Sequence, residues 1–194
     1  DAFGAQPQQQ QQQDAFGAQP QSRFEVVEPE DKGFDYTYQS DMDDNGIVYA
    51  IATGGGTREW ANPMKSRLMA FTFSAVDWPS AEKMATRRAS YIGTTNAPDS
   101  WVAIDVGPGK SVRPTCYTIM TGRSDSHHLR SWCFEGSADA GASWVILSQH
   151  ANETSLQGAG QAHTWQVDAS AAQMAGPDGF RWFRVRQTGM NSSG

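Results

Sequence analysis

The stretch from Leu129 to His150 most constrains how this chain can fold. Two apolar, β-prone runs, Leu129 to Phe134 and Trp144 to Leu147, flank a turn read at Gly136, Ser137, Asp139 and Gly141. Stiff or aromatic strand residues on either side of residues that tolerate a tight reversal are the pattern of a β-hairpin. A two-stranded hairpin is marginal in water and must lay one face on a second sheet. The rest of the chain therefore has to supply that sheet.

It offers the material. Arg23 to Glu28 and Phe34 to Tyr38 alternate, Ile47 to Ile51 reads as a strand, and Leu68 to Phe73 places Met69, Phe71 and Phe73 on one side. Ser100 to Val106, Val112 to Met120, Thr164 to Val167 and Phe180 to Arg186 read as further strands. Asp77 to Arg88, with Pro79 near its start, reads as a short helical or irregular excursion. Polar loops are expected at 122–128 and 151–163. Many short strands punctuated by turns, with almost no helical periodicity, predict an all-β sandwich or barrel.

Residues 1–21 stand apart as a Gln-rich, low-complexity arm, and the β domain is expected over 22–194. Asp-Ala-Phe-Gly-Ala-Gln-Pro-Gln occurs at 1–8 and again at 14–21. Such composition buries too little apolar surface to offset its ordering entropy, so a disordered arm is expected. Phe3 and Phe16 are candidate anchors of a repeated linear motif, acting through effective concentration. The alternative is a linker that expanded by duplication.

The chain of 194 residues is 38% hydrophobic and 11% aromatic, enough for one ordinary core. The net charge of −6 argues against a general nucleic-acid binder, which needs a basic footprint. Cys116 and Cys133 are the only cysteines and read as small buried hydrophobes rather than a disulfide framework. No run approaches the roughly 18 apolar residues of a membrane span, and no signal-peptide pattern opens the chain. The expectation is a soluble intracellular protein, cytoplasmic with a cytoskeletal or ciliary assembly as a further setting, or a fragment of one.

Asp41-Met-Asp-Asp-Asn-Gly46 matches the opening half of a calcium loop, with Asp41, Asp43 and Asn45 as ligand candidates. The twelfth position is Ala52 rather than a bidentate Glu, and Asn45-Gly46 is a turn signal, so a plain turn is the favoured reading. Gly54-Gly-Gly56 lacks the Gly-Lys-Ser/Thr of a phosphate loop. His127 and His128 are adjacent without an HxH or HExxH pattern, His150 and His163 sit apart, and no Gly-x-Ser-x-Gly is present. No catalysis and no cofactor are expected.

In their order and spacing, a set of motifs resembles the galactose-binding-like, or discoidin (F5/8 type C), superfamily. These are Asp41-x-Asp-x-Asn-Gly-Ile-x-Tyr49, Trp60-x-Asn-Pro63, Asn96-x-Pro-x-Ser-Trp101 with Ile104-Asp-x-Gly107, Pro114-x-x-Tyr-Thr118, Leu129-Arg-x-Trp132 with Glu135-Gly-Ser137, Trp144 with Leu147 and His150, and Phe180-Arg-x-Phe-Arg184. The resemblance covers roughly 23–194 and is nearest the intracellular branch found beside kelch, BTB or HECT ubiquitin-ligase modules and in protist proteins. It implies a jelly-roll β-sandwich. The family continues past Thr188-Gly189 into one more strand, so the expected fold lacks its last strand here. The terminal cysteine pair of secreted members is absent. The family's hairpin turn is Ser-x-Asp-Gly; here Ala140 separates Asp139 from Gly141, which predicts a longer turn with Gly141 at positive φ.

The resemblance also implies that loops at one end of the sandwich bind. The candidates are Arg58 and Trp60 in the Gly-rich loop, Trp78, Arg87 and Arg88 in the second loop, and Arg123, Asp125, His127 and His128 in the third. An aromatic with an Arg beside it can anchor a protein hot spot or stack on a sugar. The expected function is a non-catalytic adaptor binding protein partners in a larger assembly. A carbohydrate- or lipid-binding discoidin-type module and a substrate-recognition domain of a ubiquitin-ligase-related protein stand as alternatives. Sequons at Asn152-Glu-Thr154 and Asn191-Ser-Ser193 would favour secretion if occupied.

Overall fold

A computed structural model describes residues 33–75 and 81–194. The arm with Phe3 and Phe16, the strand expected at 23–28, and Trp78 lie outside the described residues. A compact unit spans Asp35–Gly194.

Among the described residues, seven strands form two antiparallel sheets. They are β1 (Ala70–Phe73), β2 (Trp101–Asp105), β3 (Cys116–Met120), β4 (Trp132–Ser137), β5 (Val145–His150), β6 (Ala162–Gln166) and β7 (Trp182–Gln187). One sheet has the order β1-β2-β7-β4-β5 and the other pairs β3 with β6. The pairings nest: β4 with β5, β3 with β6, and β2 with β7. That is one long antiparallel ribbon wound across both sheets, the winding of a jelly roll. The β7 strand is flanked on both sides, by β2 and by β4.

The two sheets face each other through aromatic rings. Tyr117 of β3 stacks on Phe134 of β4 at 4.0 Å, and Phe134 lies 5.7 Å from Phe183 of β7. The larger core cluster joins Ile51, Val106, Leu147, Phe180 and Phe183; a smaller one holds Trp132, Leu156 and Trp165. Full burial of side chains of this size contributes about 1.5–3 kcal/mol each. Cys133 is buried and Cys116 half-buried, both as free thiols.

The hairpin forms, with its turn displaced from the expected position. Gly136 is a strand residue, not a turn residue: a Cβ there would stand 2.8 Å from the Phe180 ring and 3.0 Å from Leu147. The reversal instead hangs on Ser137 and Asp139. Gly141 N–H donates to Ser137 Oγ at 2.8 Å, and Ser143 N–H donates to Asp139 Oδ1 at 2.9 Å. Gly141 has φ +86°, as expected, and Ala140 also takes positive φ, +59°. A bulge between Phe134 and Glu135 shifts the β4–β5 register, a common device at strand edges.

Ile47 to Ile51, read as a strand, is a helix: α1 covers Ile47–Thr53. Its β-branched residues disfavour helix by only a few tenths of a kcal/mol each, less than packing Ile47, Val48 and Ile51 on the core returns. Gly54 closes it in the left-handed region, its N–H bonded to Ala50 O. Phe34 to Tyr38 alternates in sequence but forms no strand and is exposed. Among the described residues of the excursion after β1, Ala81–Ala85 form a 3-10 helix. A second short helix, α2 (Ala169–Ala172), was not legible in the hydrophobic pattern; Asp168 caps it through the Ser170 and Ala171 N–H groups.

On the outward side of the larger sheet Glu135, only 3% exposed, sits between Arg184 and Arg186, bonded to each at 2.5 and 2.8 Å. Trp144 lies 4.2 Å from the Arg184 guanidinium, and Arg181 holds Asp105 with two bonds of 2.7 Å.

Candidate functional site

Strand direction puts four connections at one end of the sandwich: those leading into β2, from β3 to β4, from β5 to β6, and out of β7. They are bonded to one another. Glu153 N–H donates to Arg130 O at 2.7 Å, Thr188 N–H to Ser131 O at 2.9 Å, and Asn191 N–H to Asn96 Oδ1 at 2.9 Å. Loop 88–92 joins the same end: a methyl on Gly122 would stand 2.9 Å from Ser90 O, and one on Gly160 would stand 3.4 Å from Ala89 Cβ. Loops tied this way form a rigid surface on a rigid scaffold, the usual setting for binding.

Two groups stand out on it. Tyr91 is 56% exposed, and the Arg123 guanidinium lies 6.0 Å from its ring centre. Tyr91 was not among the residues singled out from sequence; the signal was an aromatic closing the basic run Arg87-Arg-Ala-Ser-Tyr91. Arg88 is exposed, with its carbonyl accepting from Thr86 Oγ1 at 2.8 Å. Asp125 is exposed and accepts the Ala159 N–H at 3.3 Å.

The other sequence candidates take different places. His127 is exposed at φ +66°, its Nδ1 2.7 Å from Ser126 Oγ. His128 is 5% exposed and its Nε2 has no bonding partner among the described residues. Its main chain is clasped by Ser192, which accepts the His128 N–H at 2.9 Å and donates its own N–H to His128 O at 2.9 Å. A buried side chain without access is not a contact residue. Arg87 is turned away to Asp44 at 2.5 Å and to the Tyr49 ring at 4.9 Å. Arg58 donates to Ile51 O at 3.2 Å, closing α1, while Trp60 is half-buried. The chain that follows them reaches the start of β1 at the opposite end, where Leu68 O meets Gly107. A cavity of about 250 Å³ at that opposite end, lined by Met64, Arg67, Met69 and Pro108, includes none of the candidates.

The acidic loop resolves into a turn. Asp43 accepts the Gln39 and Asn45 N–H groups at 2.8 and 3.0 Å, and the first of these leads in holding its carboxyl below the usual range. Asp41 accepts from Thr164 Oγ1 at 2.5 Å and from Tyr38 OH at 3.1 Å. Among the described residues no three His, Cys, Asp or Glu converge as a metal site.

One polar cluster has the connectivity of a hydrolase triad. Ser148 Oγ lies 2.7 Å from His150 Nε2, and Glu153 Oε2 lies 3.7 Å from Nδ1. Its groups are already committed. Nε2 is shared with Tyr117 OH at 2.9 Å, and the His150 ring stacks on fully buried Trp132 at 4.4 Å. Glu153 accepts from Ser155 Oγ, the Thr154 and Ser155 N–H groups, and Trp165 Nε1, which holds its carboxyl down to about 2. Burial lowers His150 below the ordinary imidazole value, against the opposing pull of Glu153. Burial likewise pushes the Tyr117 hydroxyl up to about 12. These are the bonds of a satisfied buried network between sheets.

Comparison with known proteins gives no matching family model. Similar curated proteins include the E3 ubiquitin-protein ligase Ufd4 of Drosophila melanogaster, 29% identical over 82% of this chain, and the E3 ubiquitin-protein ligase hecd-1 of Caenorhabditis elegans, 31% identical over 84%. A BTB/POZ domain-containing protein of Arabidopsis thaliana is 29% identical over 78%. The chain spans 6%, 6% and 19% of the length of these relatives. Ligase and BTB proteins are among the settings that the sequence resemblance named. Among solved structures, a Clostridium perfringens CBM32 module in complex with GalNAc-β-1,3-galactose aligns with TM-score 0.47 at 10% identity, over 64% of this chain and 86% of that one. A chitosan-binding module from Paenibacillus aligns with TM-score 0.40 at 15% identity, over 63% and 85%. Among the described residues no helix is long and apolar enough to cross a membrane.

Proposed function

We propose that this β-sandwich is a non-catalytic binding domain of a larger intracellular protein, and that the loop end around Tyr91 and Arg123 captures a protein partner. The observation that carries this reading is an exposed Tyr with an Arg against it, held on loops bonded to one another, since Tyr and Arg are the residue types that dominate interface energetics. The commitment of the Ser148, His150 and Glu153 groups to their own network supports a non-catalytic role. The similarity to parts of ubiquitin-protein ligases supports recognition of substrates or assembly partners within such a protein. Because an exposed Tyr also stacks on sugar rings, glycan binding at the same surface is the second reading.

The test is position-specific cross-linking in the full chain. A photoreactive benzoylphenylalanine replaces Ala159 at the loop end or, as control, Ala142 at the hairpin turn of the opposite end. Protein adducts from position 159 and not from 142 are expected. Equal labelling from both, or labelling from 142 alone, would sink the proposal.

A further inference from the structure

We infer that the loop end recognises an acidic, extended segment of its partner, with Arg123 and Arg88 holding carboxylates and Tyr91 carrying an apolar side chain. The inference rests on the reading of the loop end as a protein-binding surface and adds the chemistry of what it binds.

The distribution of cations carries it. The chain has net charge −6, and its described arginines are mostly committed. Arg87, Arg181, Arg184 and Arg186 pair with carboxylates, Arg58, Arg113 and Arg130 donate to backbone carbonyls, and Arg67 is exposed at the opposite end beside the cavity. Arg123 and Arg88 are exposed and do neither: among the described residues neither guanidinium meets a carboxylate or a carbonyl. Both lie on the interlocked loops, where the segment from Arg88 reaches Tyr91 and the Tyr91 ring reaches Arg123.

An uncommitted guanidinium presents a planar fork suited to a carboxylate, and its aromatic neighbour fixes the plane of that fork. The nearby acid, Asp125, has Oδ1 turned to the Ala159 N–H of the β5–β6 loop, and among the described residues it forms no ion pair with Arg123. A basic partner would meet like charge here. A neutral glycan would gain the stacking on Tyr91 but leave both cations without anionic partners. An extended acidic segment uses all three groups, since side chains on one side of a strand recur at every second residue.

The test uses the full 194-residue chain and three blocked peptides with the same leucines but carrying Asp, Asn or Lys at the intervening positions. Backbone amide shifts are followed by nuclear magnetic resonance, with galactose and N-acetylgalactosamine as further arms. The Asp peptide is expected to shift Tyr91, Arg123 and their loop neighbours. Its binding should weaken about tenfold in Arg123→Glu, and weaken again as salt rises from about 50 to about 300 mM. Arg123→Lys should retain part of the binding, and both variants should melt with the wild type because the side chain is exposed. Equal shifts from all three peptides, or binding indifferent to Arg123→Glu, would overturn the acidic preference while leaving a protein-binding surface in place. Shifts from the sugars with none from any peptide would overturn both.

Discussion

The Trp132 indole N–H donates to the Tyr117 hydroxyl at 2.8 Å, tying β4 to β3 across the interior of the sandwich. Trp132 is fully buried and Tyr117 half-buried, and the same hydroxyl lies 2.9 Å from His150 Nε2. Tyr117→Phe keeps the ring stack on Phe134 and strands the indole N–H. The expected loss is about 1–3 kcal/mol, read from the urea midpoint at unchanged slope. An unchanged midpoint would show that the hydrogen bond carries no net weight.

Two glycines of the hairpin fail for different reasons when substituted. Gly136→Ala drives a methyl into the Phe180 and Leu147 side chains, and overpacking of this kind costs about 1–3 kcal/mol. Gly141→Val meets a left-handed backbone at φ +86° and should cost at least about 1–2 kcal/mol. Thermal unfolding of the two variants separates them from an exposed control such as Ala142→Ser, which should melt with the wild type.

His128→Leu should leave stability intact or raise it, because it deletes a buried ring nitrogen that has no partner. Differential scanning calorimetry gives the comparison. A drop of several degrees would reveal a bonded role for Nε2.

Acid should unfold the domain in two stages. His150 has a lowered folded pKa, so the unfolded state takes its proton first, and the His150 contribution fades as pH falls below the ordinary imidazole value. Glu153 and Asp139, both held down to about 2, contribute stability that is complete above their ordinary values of 4.5 and 3.8 and is lost as pH falls toward 2. Melting temperature followed from neutral to acid pH should show both stages. Glu153→Gln should flatten the lower one, and a profile identical to wild type would count against the assignment.

Much of the sheet was legible because its strands advertise themselves locally. Val102, Ile104, Phe183 and Val185 alternate with partners that face out, and Gly107 and Gly122 mark where chains turn. The α1 helix was not, because Ile47, Val48 and Ile51 look like strand residues until the core they pack on is known. The same limit governs the binding surface. Arg87 and Arg88 are adjacent in sequence, yet one is spent on Asp44 and the other is uncommitted. His127 and His128 are adjacent too, one exposed and one buried. Tyr91 acquires meaning only through Arg123, which comes from another loop. Pairings between distant segments are tertiary facts, and residue types alone do not state them.

The Glu135 carboxylate, held between Arg184 and Arg186, reads the alignment of two strands that are about fifty positions apart in the chain. A slip of β7 by one residue against β4 would send both arginines inward and leave a buried anion without a cation, which costs several kcal/mol. The triad thus acts as a proofreader during folding: it rewards one alignment of the central strands and penalises its nearest neighbours.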